Sequence, residues 1–220
     1  MGRSKLDKFK DNEQSNYVIQ PGKDIFEIIK GNWREGYFRN HNPVVLELAC
    51  GRGEYAIGMA RIFPDKNFVG VDIKGLRIWR GRKIAEDKNL KNVGFLRGHI
   101  QNLKVFFEKE EVDEIWITFP DPRPKGRDER RRLTNERFLD IYKHITKPGG
   151  WIYLKTDNDG LYDYSLEVLS GLSDVTDLVY TPDLYNSALL ADHFGIQTTY
   201  EKRYLEDGIK IKYLKFRISN

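Results

Sequence analysis

The sequence predicts a three-layer α/β domain with a mainly parallel sheet and an antiparallel C-terminal end. Three observations carry this. Short apolar runs at 44–48, 67–71, 93–97, 114–118 and 151–155 have strand length, and amphipathic helical patterns fall between them. The connections are short, so each strand–helix unit returns the chain to the same sheet, with helices on both faces. Beyond Gly171 the pattern changes: 176–180 reads as a strand, 181–195 as a long loop, and 198–204 with 210–218 as an antiparallel pair around Asp207 and Gly208.

Taken in order, residues 1–22 are polar and basic and end in Gln20-Pro21-Gly22. They read as a mobile tail, or as an arm that orders on nucleic acid through Arg3, Lys5, Lys8 and Lys10. The single domain then spans 23–220. Asp24 caps a short helix with Ile25, Ile28 and Ile29 on one side. Strand 44–48 leads through Cys50-Gly51-Arg52-Gly53 into a helix over 54–63. Strand 67–71 ends at Asp72 and precedes a helix over 76–89. Strand 93–97 is followed by a short helix at 103–107, and strand 114–118 runs into the prolines at 120, 122 and 124. Those prolines fix φ and disfavour helix before them, so Asp121 sits on a stiff loop. Thr134 caps a helix with Phe138, Ile141, Tyr142 and Ile145 on its core face, stopped by Lys147-Pro148-Gly149-Gly150. Strand 151–155 and a helix over 161–169 complete the alternating part.

Composition bounds the function. At 220 residues, 40% hydrophobic and 32% charged, the chain is long enough for one well-buried soluble domain. No apolar run approaches the ~20 residues that cross a bilayer, and the N-terminal residues lack the apolar core of a signal peptide. A membrane role is not expected. One cysteine excludes an intrachain disulfide and fits a reducing cytoplasm. His41, His144, His193 and Cys50 have no metal-ligand spacing, so no metal is expected. Residues 123–137 hold seven Arg/Lys against three Asp/Glu, a local excess equal to the chain's net +4. The basicity is therefore concentrated beside Asp121, where a polyanion would meet it.

Ligands of such sheets bind beyond the carboxyl ends of the strands. The strands deliver Glu47 with Gly51 and Gly53, then Asp72, then His99, then Asp121. Gly51-Arg52-Gly53-Glu54-Tyr55-Ala56 matches a loose dinucleotide fingerprint with an acid about twenty residues on, which keeps a nicotinamide-dependent oxidoreductase open. Glu54 at a helix N-terminus and Glu47 in the strand argue against a pyrophosphate there. They suit a cationic ligand, and S-adenosylmethionine carries an ammonium, a sulfonium and no phosphate. Asp72 can take both ribose hydroxyls. Cys50 reads as a small buried residue, with nothing beside it to stabilise a thiolate.

Phe119-Pro-Asp-Pro-Arg-Pro-Lys-Gly-Arg127, Arg130-Arg-Arg-Leu-Thr-Asn-Glu-Arg-Phe-Leu139, Leu154-Lys-Thr-Asp-Asn158 and Thr198-Thr-Tyr-Glu201 follow one another in an order and spacing that resembles the tRNA (guanine-N7-)-methyltransferase family. The similarity runs from Leu46 to the C-terminal strand. It implies a Rossmann-like class I methyltransferase fold that uses S-adenosylmethionine to methylate N7 of a variable-loop guanosine, position 46 of tRNA. It also implies Glu47, Asp72, His99 and Asp121 at the cofactor, where Gly51 and Gly53 let the backbone turn tightly and approach a ligand closely, Asp121 as the catalytic residue, and Lys125, Asp157, Thr198, Thr199, Tyr200 and Glu201 at the substrate. The chain departs from the family pattern at five positions. Arg123 stands where Trp is usual, His99-Ile100 where Asp-Ala is usual, Asp72 for Glu and Thr199 for Glu. A neutral His99 can accept from the adenine amino group and a protonated one cannot, so cofactor binding is expected to weaken at low pH.

The chemistry agrees independently. Guanine N7 has a free lone pair at neutral pH and needs placement rather than a general base, a cysteine or a metal. Asp121 can accept from the N1–H and N2–H₂ edge of the base and balance the cation formed at N7. Transfer to an adenine amino group and a non-catalytic tRNA-binding module stay open beside this reading. A monomer and a homodimer are both compatible with it.

Overall fold

A computed structural model describes residues 4–219. Among these residues eight strands form one sheet: β1 (Val18–Ile19), β2 (Val44–Leu48), β3 (Asn67–Asp72), β4 (Val93–Arg97), β5 (Val112–Thr118), β6 (Thr146–Thr156), β7 (Val175–Thr181) and β8 (Lys212–Ile218). Their order is β1-β4-β3-β2-β5-β6-β8-β7. The first six in this order are parallel, and β8 runs antiparallel to both β6 and β7. Among the described residues the eight α-helices are α1 (Lys5–Gln14), α2 (Asp24–Ile28), α3 (Glu54–Ile62), α4 (Gly75–Asp87), α5 (Leu103–Phe106), α6 (Glu136–Ile145), α7 (Asp159–Gly171) and α8 (Thr199–Glu206).

The parallel strands read as unbroken apolar runs because both faces are covered, and β2 and β3 are buried along their whole length. From β2 the chain winds to β3 and β4 on one side, then to β5 and β6 on the other. The switch point of the sheet therefore lies between the carboxyl ends of β2 and β5, where such folds open a crevice. Glu47 stands at one lip and the loop carrying Asp121 at the other.

Three stretches differ from the sequence reading. Residues 198–204, expected as a strand, start α8. Thr198 Oγ1 accepts from Glu201 N while the Glu201 carboxylate accepts from Thr198 N, a reciprocal cap that begins a helix. The antiparallel partners of β8 are consequently β6 and β7. Residues expected as a tail form α1 and β1. Ser4 and Asp7 make a second reciprocal cap, the Asn12 amide donates to Gly75 O at 2.8 Å, and Trp79 Nε1 donates to Asp11 at 2.8 Å. Val18 and Ile19 are buried against the β4 edge. Lys5, Lys8 and Lys10 thus lie on a helix docked to α4, and Arg3 lies outside the described residues. Finally, Asn135 rather than Thr134 caps α6, because the Thr134 hydroxyl is taken by Ser165 at 2.7 Å.

Candidate active site

Two cavities open beyond the carboxyl ends of the strands and meet at Asp121. One, of about 490 Å³, is bounded by Glu47, Gly51, Asp72, Asp157, Thr198 and Tyr200. The other, of about 370 Å³, is bounded by His99, Gln101, Leu133 and Phe138. Ala49, Asp72, Asp121 and Arg123 belong to both.

The floor is built from carboxylates and backbone amides. Glu47 accepts from Ala56 N at 2.8 Å with one oxygen and from the Thr118 hydroxyl at 2.8 Å with the other, tying β2 to the start of α3 and the end of β5. Burial pushes its carboxyl up to about 7, against the two hydrogen bonds, and the nearby carboxylates of Glu54 and Asp72 act in the same direction as burial. Asp72 accepts from Gly51 N at 2.9 Å and from Lys74 N at 2.7 Å, so the second strand end holds the glycine loop. Gly53 has φ +64°, and a Cβ there would lie 2.3 Å from the Phe95 ring. Only glycine fits both the backbone and the space. Cys50 is buried, and burial together with the Glu47 and Asp72 charges raises its thiol well above the ordinary range, so it is no nucleophile.

The loop after β5 starts from Phe119, at φ +49°. Its N–H donates to Lys155 O at 2.8 Å, so the end of β6 fixes where the loop leaves the sheet. Asp121 is exposed and ion-paired with Arg123 Nε at 3.2 Å. Arg123 is itself at φ +48°, and its carbonyl accepts from Arg132 Nε at 3.2 Å. The Arg132 guanidinium lies 4.3 Å from the centre of the Tyr164 ring. Arg131 pairs with Asp128 at 3.1 Å and stays largely exposed. The basic run forms a 3₁₀ segment, Gly126–Arg131, on the rim.

The expected residues separate into two groups. Glu47, Gly51, Asp72, Asp121, Asp157, Thr198 and Tyr200 share the larger cavity, and His99 borders the smaller. Gly53 shapes the loop behind them. Lys125, Thr199 and Glu201 border neither cavity. Lys125 starts the 3₁₀ segment on the solvent side. Thr199 donates from its N–H and hydroxyl to Glu54, joining α8 to α3. Glu201 is fully buried, with Lys155, Tyr185 and His193 around its carboxylate. Lys155 and Tyr204 were not singled out from the sequence. A lysine inside the apolar run 151–155 was the available signal for the first.

This floor fits a cationic ligand better than a phosphate. The Ala56 amide in the first turn of α3 already serves Glu47, and the Glu54 carboxylate stands at the same helix end. Known proteins agree. A family model described as "Putative methyltransferase" matches residues 41–214. A tRNA (guanine-N(7)-)-methyltransferase of Cytophaga hutchinsonii is 50% identical, with 98% of each chain covered. The chain belongs to the tRNA (guanine-N(7)-)-methyltransferase family. A second member, from Christiangramia forsetii, is 45% identical, again with 98% of each covered. Among solved structures, the 16S rRNA methyltransferase KamB superposes with a TM-score of 0.60 at 17% identity, covering 90% of this chain and 94% of its own. At that identity the likeness is one of fold: the methyltransferase sheet with its antiparallel end. The crevice between β2 and β5 is the candidate active site, with Asp121 where its two cavities meet.

Proposed function

We propose that the protein transfers the methyl group of S-adenosylmethionine to N7 of a variable-loop guanosine in tRNA. The observation that carries the reading is one continuous crevice holding buried Glu47 and Asp72 on its floor, Asp121 at its mouth and Asp157 with Tyr200 opposite. When bound, S-adenosylmethionine supplies an electrophilic sulfonium methyl. Glu47, the glycine loop, Asp72 and His99 would hold it. Asp121 accepts from the N1–H and N2–H₂ edge of the guanine, which turns N7 toward the crevice and balances the positive charge that develops on the base. Tyr200, exposed beside Asp157, offers a ring for the base to stack on. No proton has to be removed from N7, so the site's task is placement. Arg127, Arg130 and Arg131 on the rim hold the phosphates that flank the target.

Residues 4–219 act as one methyltransferase domain, with α1 as part of it, working on tRNA in the cytoplasm. Incubation of the protein with unmodified tRNA and methyl-labelled donor, followed by nucleoside analysis, tests the reading. Label in 7-methylguanosine is the expected result. Label in a methylated adenosine, or tRNA binding without transfer, overturns it.

A further inference from the structure

We infer that Lys155 is a positioning residue, whose buried ion pair with Glu201 locks the start of α8 to the loop that carries Asp121. The inference rests on the proposed reading of the crevice and adds what holds its two walls in register.

The Lys155 and Glu201 side chains are 1% and 0% exposed, with Nζ 2.7 Å and 2.9 Å from the two carboxylate oxygens. Glu201 also accepts from the Tyr185 hydroxyl at 3.1 Å and faces His193 Nε2 at 3.2 Å. Stability alone does not account for such a pair, since apolar side chains of similar volume often serve a buried site as well or better. Its place in the fold does. Lys155 lies in β6 between Thr118 of β5 and Tyr213 of β8. Its carbonyl takes the Phe119 N–H, the first bond of the Asp121 loop. Its ammonium stands 5.8 Å from the Phe119 ring and 5.0 Å from the Tyr55 ring. Two residues further on is Asp157.

Glu201 is the third residue of α8 and closes that helix's cap on Thr198. Tyr200 and Tyr204 of the same helix border the crevice. Lys155 therefore meets the catalytic loop with its backbone and the substrate wall with its side chain, 46 residues away in sequence. The pair fixes the distance between Asp121 and Tyr200 without touching either ligand. Positioning at this level matters because a misplacement of about 1 Å can cost about 10²-fold in rate.

The test is a Lys155→Met, Glu201→Gln double variant, which removes both charges and keeps an amide oxygen to close the cap. With unmodified tRNA and 7-methylguanosine as product, kcat/KM should fall by about 30-fold or more, while the S-adenosylmethionine Kd stays within about twofold. Amide hydrogen exchange should quicken at 119 and 199–206 and stay slow along α3, whichever base accepts the methyl group. Wild-type kcat/KM, an equal loss of cofactor affinity, or unchanged exchange at these amides would each overturn the inference. Should the double variant not fold, Tyr185→Phe with His193→Leu removes the other groups around Glu201. A loss of about threefold to tenfold in kcat/KM is then expected, and no loss overturns it. Wild-type protein that forms no 7-methylguanosine would fail the proposed function instead, leaving the exchange result to judge the role of Lys155.

Discussion

Arg123 holds Asp121: its Nε lies 3.2 Å from Oδ2, and its own backbone N–H points at Oδ1 at 3.4 Å. Both side chains are more than a third exposed, so this pair adds little to stability. Its effect is orientation, because the carboxylate is presented at the junction of two cavities by a loop with left-handed residues at 119 and 123. Asp121→Ala should therefore leave the melting temperature nearly unchanged and tRNA affinity within about twofold, while turnover falls by about 10²-fold or more. Single-turnover rates beside a binding isotherm decide this; turnover at the wild-type rate would remove Asp121 from the chemistry.

The arginine run divides in a way its composition does not show. Arg132 is committed inward, to Arg123 O and the Tyr164 ring, whereas Arg127, Arg130 and Arg131 face solvent. Arg130→Glu should weaken tRNA binding with cofactor affinity unchanged, and Arg132→Ala should instead lower turnover by loosening the Asp121 loop. With Lys125 and the three outward arginines on phosphates, log affinity should fall against log salt with a slope of roughly −3 to −4. A slope near zero would make the run a solvated surface.

The alternation of strands and helices was legible because apolar runs and amphipathic periods alternate without ambiguity, and the carboxyl-end rule then gathered Glu47, Asp72, His99 and Asp121. The 198–204 stretch misled because Thr and Tyr are strand formers, yet Thr198 and Glu201 at three-residue spacing are also a helix-start signature. Glu201 drew a substrate role because its family position carries one. Its burial depends on Lys155, Tyr185 and His193, which no local pattern brings together. The N-terminal residues looked like a tail because their order comes from α4, through Gly75 and Trp79.

Gly53 gives a stability prediction with a ligand readout. Its backbone has φ +64°, and a side chain there would bring its Cβ within 2.3 Å of the Phe95 ring, so Gly53→Ala must strain the loop or displace the ring. Unfolding should cost about 1–3 kcal/mol less, and S-adenosylmethionine binding should weaken, because the loop that Asp72 holds at Gly51 would move. Chemical denaturation and calorimetric titration of the same variant check both halves.

Glu47 makes cofactor binding depend on pH. Burial raises its carboxyl from an ordinary 4.5 to about 7, so the free enzyme holds a proton there between those values. A group raised on folding contributes stability that is complete below its unfolded value and is lost as pH rises through its folded one. The free enzyme should accordingly lose this contribution between about pH 4.5 and 7. A cationic ligand favours the carboxylate, so binding expels the proton and affinity rises with pH until about 7. Titration calorimetry at about pH 6, in two buffers of different ionisation enthalpy, should show up to about one proton released per S-adenosylmethionine bound. A neutral imidazole requirement at His99 has the same sign, so the variants separate the two sources. Glu47→Gln should abolish the release if the carboxylate carries it, and His99→Asn should leave it in place. Release that survives in Glu47→Gln and vanishes in His99→Asn would transfer the pH dependence to the adenine end of the crevice.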